Sequence, residues 1–235
     1  MKGKRESLRK LVEEVDILLF LAEKGRQERR MFAWQMFVWG AYAFVGLSAE
    51  LLFGWNLQWV IGLAVAFFLS TLPYAGPLRS LVWFLPSVAA LLVLLAGGGT
   101  LLTVATLIVG YAVASVVVYG FLTKGEYRRV STLAYLGMTW GTLFAAFWWV
   151  VLLFGLVREG RIFNLWITYV FGSGLFLSGL FHRIFVPLGL AALFILPLLY
   201  RLKGALWLGW GYATIALVMG VAGLIIYVRE HDRGP

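Results

Sequence analysis

The run GLFLSGLFHRIFVPLGL, residues 174–190, is where the architecture of this chain can be read. From Ile162 to Tyr200 nearly every residue is apolar or small, and the one strongly polar point, His182-Arg183, falls near the middle. As a single helix those 39 residues would extend about 58 Å at about 1.5 Å each. A bilayer's hydrocarbon core is only about 30 Å thick. The run must therefore fold back on itself, and a His-Arg pair is the part of it that most favours water. The stretch reads as two membrane-spanning helices joined by a turn at His182-Arg183, not as a buried site.

Composition extends that reading to the whole chain. Of 235 residues, 62% are hydrophobic and 13% charged, and the mean hydropathy is +0.89; soluble domains carry about 25% charged residues. The fold expected is all-α, a polytopic transmembrane helical bundle. There is no cysteine, so disulfides and thiolate metal sites are excluded. The first residues are densely charged and the apolar block Ile17–Ala22 is too short for a cleavable signal, so the first true span is expected to serve as the membrane signal. Asn occurs twice and Gln three times, a depletion of heat-labile residues that suggests a thermophilic source.

Apolar runs bounded by charged or Gly/Pro breaks give about eight spans: 33–53, 56–72, 79–96, 100–123, 130–157, 162–181, 184–200 and 204–228. With both termini in the cytoplasm, the inner segments hold 16 of the 20 basic residues, leaving Arg158, Arg161, Arg201 and Lys203 outside. Topology thus accounts for most of the net charge of +9, and nucleic-acid binding is not expected. Trp34, Trp55, Trp59, Tyr74, Tyr127, Tyr200, Trp207 and Tyr227 fall near span ends, where amphipathic rings favour the headgroup level. The stretch 56–96 is interrupted by Pro73, Pro77 and Pro86. The alternative there is six spans plus a re-entrant hairpin, which sets Arg79 near the bilayer midplane at a cost of at least about 2.5–3.5 kcal/mol if unpaired.

Residues 1–31 form a separate segment, a cytoplasmic amphipathic interfacial helix, followed by the bundle at 32–228 and a short cytoplasmic tail at 229–235. Leu8, Leu11, Val12, Val15, Leu19 and Ala22 recur at helical spacing, while Arg9, Lys10, Glu13, Glu14 and Asp16 occupy the rest of the wheel. Between 2 and 30 there are nine basic and six acidic residues, a balance suited to an anionic inner leaflet or to a protein contact. Arg9, Lys10, Arg26, Arg29, Arg30, His182 and Arg183 are the expected contacts to lipid headgroups or a partner.

Few residues suit chemistry. Glu50 is the one carboxylate inside an expected span, near its outer end; with Arg79, Ser173 and Ser178 it makes the candidate ligand or ion set. His182 and His231 are too far apart in sequence for helical metal-ligand spacing, so no metal or other cofactor is expected. No HExxH, no Ser-His-Asp set and no acidic cluster is evident, and no catalytic residue is nominated. Small residues at GxxxG-type spacing, Gly137 with Gly141, Gly174 with Ser178 and Ala216 with Gly220, are expected to pack helices closely.

The charged N-terminal helix ending in GRQERRMFAWQMFVWGAYAFVG, with LWITYVFGSGLFLSGLFHRIFVPLGL and a Gly-rich last span behind it, resembles a group of uncharacterised prokaryotic multi-pass membrane proteins. The resemblance covers the N-terminal helix, the first span and roughly 100–228, and implies a prokaryotic cell-membrane location. That group has six spans, so 56–96 is an additional pair here. The function expected first is a transport-type component, a permease, channel or permease subunit for a neutral, apolar or lipid-like substrate. The alternatives are a non-enzymatic membrane partner or scaffold subunit docking through the N-terminal helix, and a membrane-embedded enzyme. Partners expected are membrane lipids, anionic inner-leaflet lipids among them, and a second copy or a membrane or cytosolic subunit.

Overall fold

The computed structural model describes residues 2–54, 57–117, 146 and 160–232. Helices α1 (Lys2–Phe53), α2 (Leu57–Ser80), α3 (Phe84–Leu95), α4 (Thr100–Val116), α5 (Gly160–Ser178), α6 (Phe185–Leu190), α7 (Leu196–Lys203) and α8 (Ala205–Asp232) follow in chain order. A 3-10 turn, Leu81–Trp83, precedes α3, and a π-helical turn, Ala191–Ile195, joins α6 to α7. Among the described residues there is no strand.

Helix α1 is one element of 52 residues, about 78 Å long at the usual helical rise. It contains no proline, and apart from Gly25 the charged turn around Arg26–Arg30 is built of strong helix formers, so nothing stops the helix at residue 31. The segment boundary read from the sequence at 31–32 is therefore not a break in the helix. Helix α1 enters the bundle unbroken. It stops at Gly54, where φ is 65° and the amide donates to the Glu50 carbonyl at 2.9 Å, a glycine C-terminal cap.

Among the described residues, the packing of α1 is along its second half. Helix α8 lies antiparallel to it: Gly209 faces Leu51, Gly220 faces Gly40, Gly223 faces Ala33 and Phe37, and Glu230 pairs with Arg29. These pairs fix the register, and continuing it brings Asp232 beside the turn that precedes Arg29. The first twenty or so residues of α1 consequently run past the end of α8.

The stretch 57–95 is a helical hairpin. Gly76, at φ 74° and ψ 165°, breaks α2 between Pro73 and Pro77, and the two arms then pack against each other. Phe67 stacks on Trp83 at 4.8 Å, Phe68 meets Phe84 at 5.5 Å, and Thr71 donates to Ser80 at 3.1 Å. The reversal at Gly97, φ 81°, then lays α4 along α3, with Ser87 and the Tyr111 hydroxyl 2.8 Å apart. Helix α5 reverses at Gly179–Ile184 into α6, and there His182 and Arg183 are exposed. The π turn lies immediately before Pro197, which lacks an N–H and crowds the carbonyl one turn back, so a widened turn relieves both.

Among the described residues, four helical stretches are long and apolar enough to cross a membrane: Ala22–Phe53, Gly76–Leu95, Phe185–Lys203 and Ala205–Asp232. Shorter apolar stretches are Ile61–Pro73, Leu102–Ala114 and Ile167–Ser178. The span expected at 130–157, with Gly137 and Gly141, lies outside the described residues. Large apolar side chains are exposed along the length of the molecule, among them Leu92, Leu102, Val113, Phe194, Leu198, Leu217 and Val221. A bundle solvated by hydrocarbon presents such an exterior.

Two packed regions hold the interior. One joins α1, α5, α6, α7 and α8 through Phe32, Met36, Leu175, Phe185, Leu196, Leu208 and Met219. The other gathers Trp83, Tyr111 and Ala114 with Phe67 between α2, α3 and α4. Helix α1 ties them together: Trp34 donates to the Leu69 carbonyl at 2.8 Å and Trp39 meets Phe67 edge-on at 4.9 Å.

Candidate functional site

The antiparallel pairings sort the chain reversals between two ends of the bundle. Arg29, Arg30 and Trp34 of α1 share one end with the Pro73–Ser80 bend, which neighbours Leu69, and with the His182-Arg183 turn, since Phe32 stacks on Phe181 at 4.7 Å and meets Phe185 at 5.2 Å. The C-terminal turn of α8 lies there too. Glu50, the 95–100 reversal and the Lys203-Gly204 junction occupy the opposite end, where Gly209 meets Leu51. Segments separated by as many as 200 residues thus place Arg26, Arg29, Arg30, Arg79, Arg183 and Arg229 at a common level.

At that level the most fully built cluster lies between α1 and α8. The Arg30 guanidinium sits 5.3 Å from the Tyr227 ring centroid, and its NH2 is 3.5 Å from the Tyr227 hydroxyl, a long hydrogen bond. Trp34 also meets Tyr227, with ring centroids 5.3 Å apart. His231, one turn further along α8, lies parallel to the Tyr227 ring with centroids 6.4 Å apart and 7° between planes. The Glu230 carboxylate, 11% exposed, is held by Arg29 at 3.6 Å, whereas Arg29 itself is 46% exposed, so water screens the pair. The arrangement is a cationic and aromatic rim at the end of an apolar bundle.

The candidates nominated from sequence are dispersed. Glu50 is exposed at one end of the bundle and Arg79 is exposed at the other, beside the Gly76 bend, so the two do not meet. Ser173 is half-buried on α5. Ser178 is buried and donates to the Gly174 carbonyl of its own helix at 2.8 Å. Ala216 and Gly220 lie in the seam between α8 and α1, together with Gly40, Ala33 and Gly223, which the sequence reading does not name. Arg26 and Arg30 are partly buried, while Arg29, His182 and Arg183 are exposed at the common end. Arg9 and Lys10 belong to the backbone of α1, and their side chains lie outside the described residues.

Several hydroxyls, interior and outward-facing, serve helix backbones. Ser70, Thr71, Thr103, Thr106 and Thr214 each donate to a carbonyl three or four residues earlier. Other hydroxyls link helices, Ser87 with Tyr111 and Thr168 with Tyr212, and Thr168 also donates to the Asn164 carbonyl at 2.6 Å. An open groove of about 400 Å³ between α3 and α4 is lined by Ala89, Ala105, Thr106, Val109 and Gly110. It is almost wholly apolar. Among the described residues no three His, Cys, Asp or Glu side chains come together as a metal site would need.

The Arg30–Tyr227 pair was not legible from sequence. Both residues are visible there as span-end residues, but 197 positions separate them and no local pattern pairs the first long helix with the last. The seam had a fainter signal: Ala33 and Gly40 are seven residues apart, as are Ala213 and Gly220, and Ala216 and Gly223. No protein-family model, curated protein or solved structure matches this chain.

Proposed function

We propose that this is a multi-pass membrane protein that anchors a long helix and presents its projecting end to another subunit, a docking or scaffold component of a membrane assembly. The observation carrying this reading is α1 itself. Its second half is fixed to α8 by contacts too close for any side chain at Gly40, while Val15 and Leu18 of the projecting half are 45% and 65% exposed. These two and Ala22 are spaced three and four apart, so an apolar stripe runs along a helix whose other faces are charged. Such a stripe is suited to a helix-in-groove or helix-pair contact. The concentration of arginine at the same end supports placing both termini in the cytoplasm of a prokaryotic cell. Eight spans, with 130–157 among them, complete the topology: α4 finishes at the arginine-rich end and α5 starts at the other.

The test is assembly mass. The full chain and a Val15→Glu/Leu18→Glu variant, extracted in the same mild detergent, are weighed intact by native mass spectrometry. The variant is expected to lose a polypeptide that the parent retains, whether a second copy or another subunit, at unchanged helix content and thermal midpoint. Identical masses for parent and variant would refute the docking role.

A transport-type component is the second reading, favoured by two discontinuities in otherwise apolar helices, the Gly76 break and the Ala191–Ile195 π turn. Tracer flux in reconstituted vesicles that Gly76→Ala abolishes would move the conclusion there.

A further inference from the structure

We propose that Arg30 and Tyr227, where α1 meets α8 at the end of the bundle, form a binding site for the phosphate of an anionic phospholipid. Arg30 is half-buried at the end of the bundle, and among the described residues its contacts are neutral ones, the face and the hydroxyl of Tyr227. The carboxylate on the neighbouring turn, Glu230, is already held by Arg29. A guanidinium has five N–H donors and a full charge, and a single phenol oxygen at 3.5 Å engages one donor and compensates none of the charge. A phosphate offers what is missing, several anionic oxygens in a geometry that matches the guanidinium fork. Tyr227 strengthens the case: its oxygen accepts from Arg30, so its own proton remains to be donated to a second phosphate oxygen.

Two further features favour a lipid over a soluble anion. Trp34 and Tyr227 meet at a tilt of 49° at the end of the bundle, the depth at which aromatic rings favour headgroups. From there Val228, Leu224, Val221 and Leu217, all exposed, run down one side of α8 at successive helical spacings, giving acyl chains an apolar surface that starts beside the phosphate position. Arg229, exposed two residues beyond Tyr227, disfavours the ammonium of a zwitterionic headgroup and admits a neutral or anionic one. The site rests on the membrane-inserted reading but is independent of any partner for the projecting helix.

The full chain, stripped of endogenous lipid in mild detergent, is offered phosphatidylglycerol, phosphatidylcholine or inorganic phosphate, and bound molecules are counted by native mass spectrometry. Phosphatidylglycerol is expected to be retained in preference to phosphatidylcholine, with affinity lowered about tenfold by Arg30→Ala and several-fold by Tyr227→Phe. Arg201→Ala, which removes an exposed arginine at the opposite end, is expected to leave that retention unchanged. Arg30→Lys keeps the charge without the fork and covers the case in which Arg30→Ala does not fold; an intermediate loss is expected of it. Equal retention of the two lipids, unaltered retention in both Arg30 variants, or full competition by inorganic phosphate would overturn the site. Release of the chain from membranes by alkaline carbonate would overturn the membrane reading itself, and firm membrane association with no lipid selectivity would overturn the site alone.

Discussion

Replacing Gly40 by alanine tests whether the α1–α8 seam holds the bundle together. A Cβ on Gly40 would come within 2.6 Å of the Gly220 Cα and 2.7 Å of the Ala216 carbonyl oxygen, both backbone atoms that no rotamer change can move. Ordinary contact needs roughly 3.5 Å, so the two helices must part by about 1 Å, a gap that forfeits a quarter to a half of each dispersion contact it opens. Overpacking of this kind costs about 1–3 kcal/mol, against which alanine recovers up to about 1 kcal/mol of helix propensity. With the backbone atoms this close the net approaches the upper end, about 2 kcal/mol, which corresponds to a fall of about 4–8 °C in the midpoint for a domain of this size. Thermal unfolding in mild detergent, followed by loss of the monodisperse chromatographic peak, reads that shift. Gly99→Ala is the control, because a Cβ there meets nothing within 4 Å and its φ is ordinary. Equal midpoints for the parent and Gly40→Ala, or an equal loss in Gly99→Ala, would show that the close approach of α1 and α8 does not hold the fold.

Three other expectations concern polar groups and turns. The Ser48 hydroxyl is buried with no hydrogen-bond partner among the described residues, so Ser48→Ala should leave the midpoint in detergent unchanged or raise it, since removing an unsatisfied group recovers about 1 kcal/mol. Thr168→Val removes the Tyr212 partner that links α5 to α8 and should lower stability by about 0.6–1.7 kcal/mol, the range for hydrogen bonds between membrane helices; the same melt measures it. Gly54→Ala places a Cβ at φ 65° with nothing nearby to clash, so its expected cost is about 1 kcal/mol of backbone strain alone, and a larger loss would mean that the cap of α1 has partners beyond the Glu50 carbonyl.

Local physics made part of this molecule legible. A His-Arg pair in the middle of 39 apolar residues has few places to go other than a turn, and it lies in one, at Gly179–Ile184. The prolines around residue 75 likewise announce a bend, and Gly76 supplies the positive φ that completes it. The end of α1's amphipathic segment was less readable. A change from charged to apolar composition at 31–32 looks like a boundary, but composition does not terminate a helix, and no proline, capping side chain or positive-φ glycine stands there. The site itself was out of reach because it depends on which helices are neighbours. Arg30 and Tyr227 meet only because α1 and α8 share a seam of Gly40, Gly220 and Gly223. Small residues advertise close packing without naming the partner helix, and Glu50 and Arg79, conspicuous as charges, lie at opposite ends.

Sidedness is the property on which the membrane topology stands, and the absence of native cysteine makes it directly measurable. Single cysteines at Arg79, Arg183, Gly99 and Lys203 can be challenged with a membrane-impermeant maleimide in sealed vesicles of known orientation. Positions 79 and 183 should label only from the cytoplasmic face, and positions 99 and 203 only from the opposite face. Labelling of 183 and 203 from the same side would contradict the crossing of the bilayer by the Phe185–Lys203 stretch, and with it the proposed sidedness of the end at which the arginines gather.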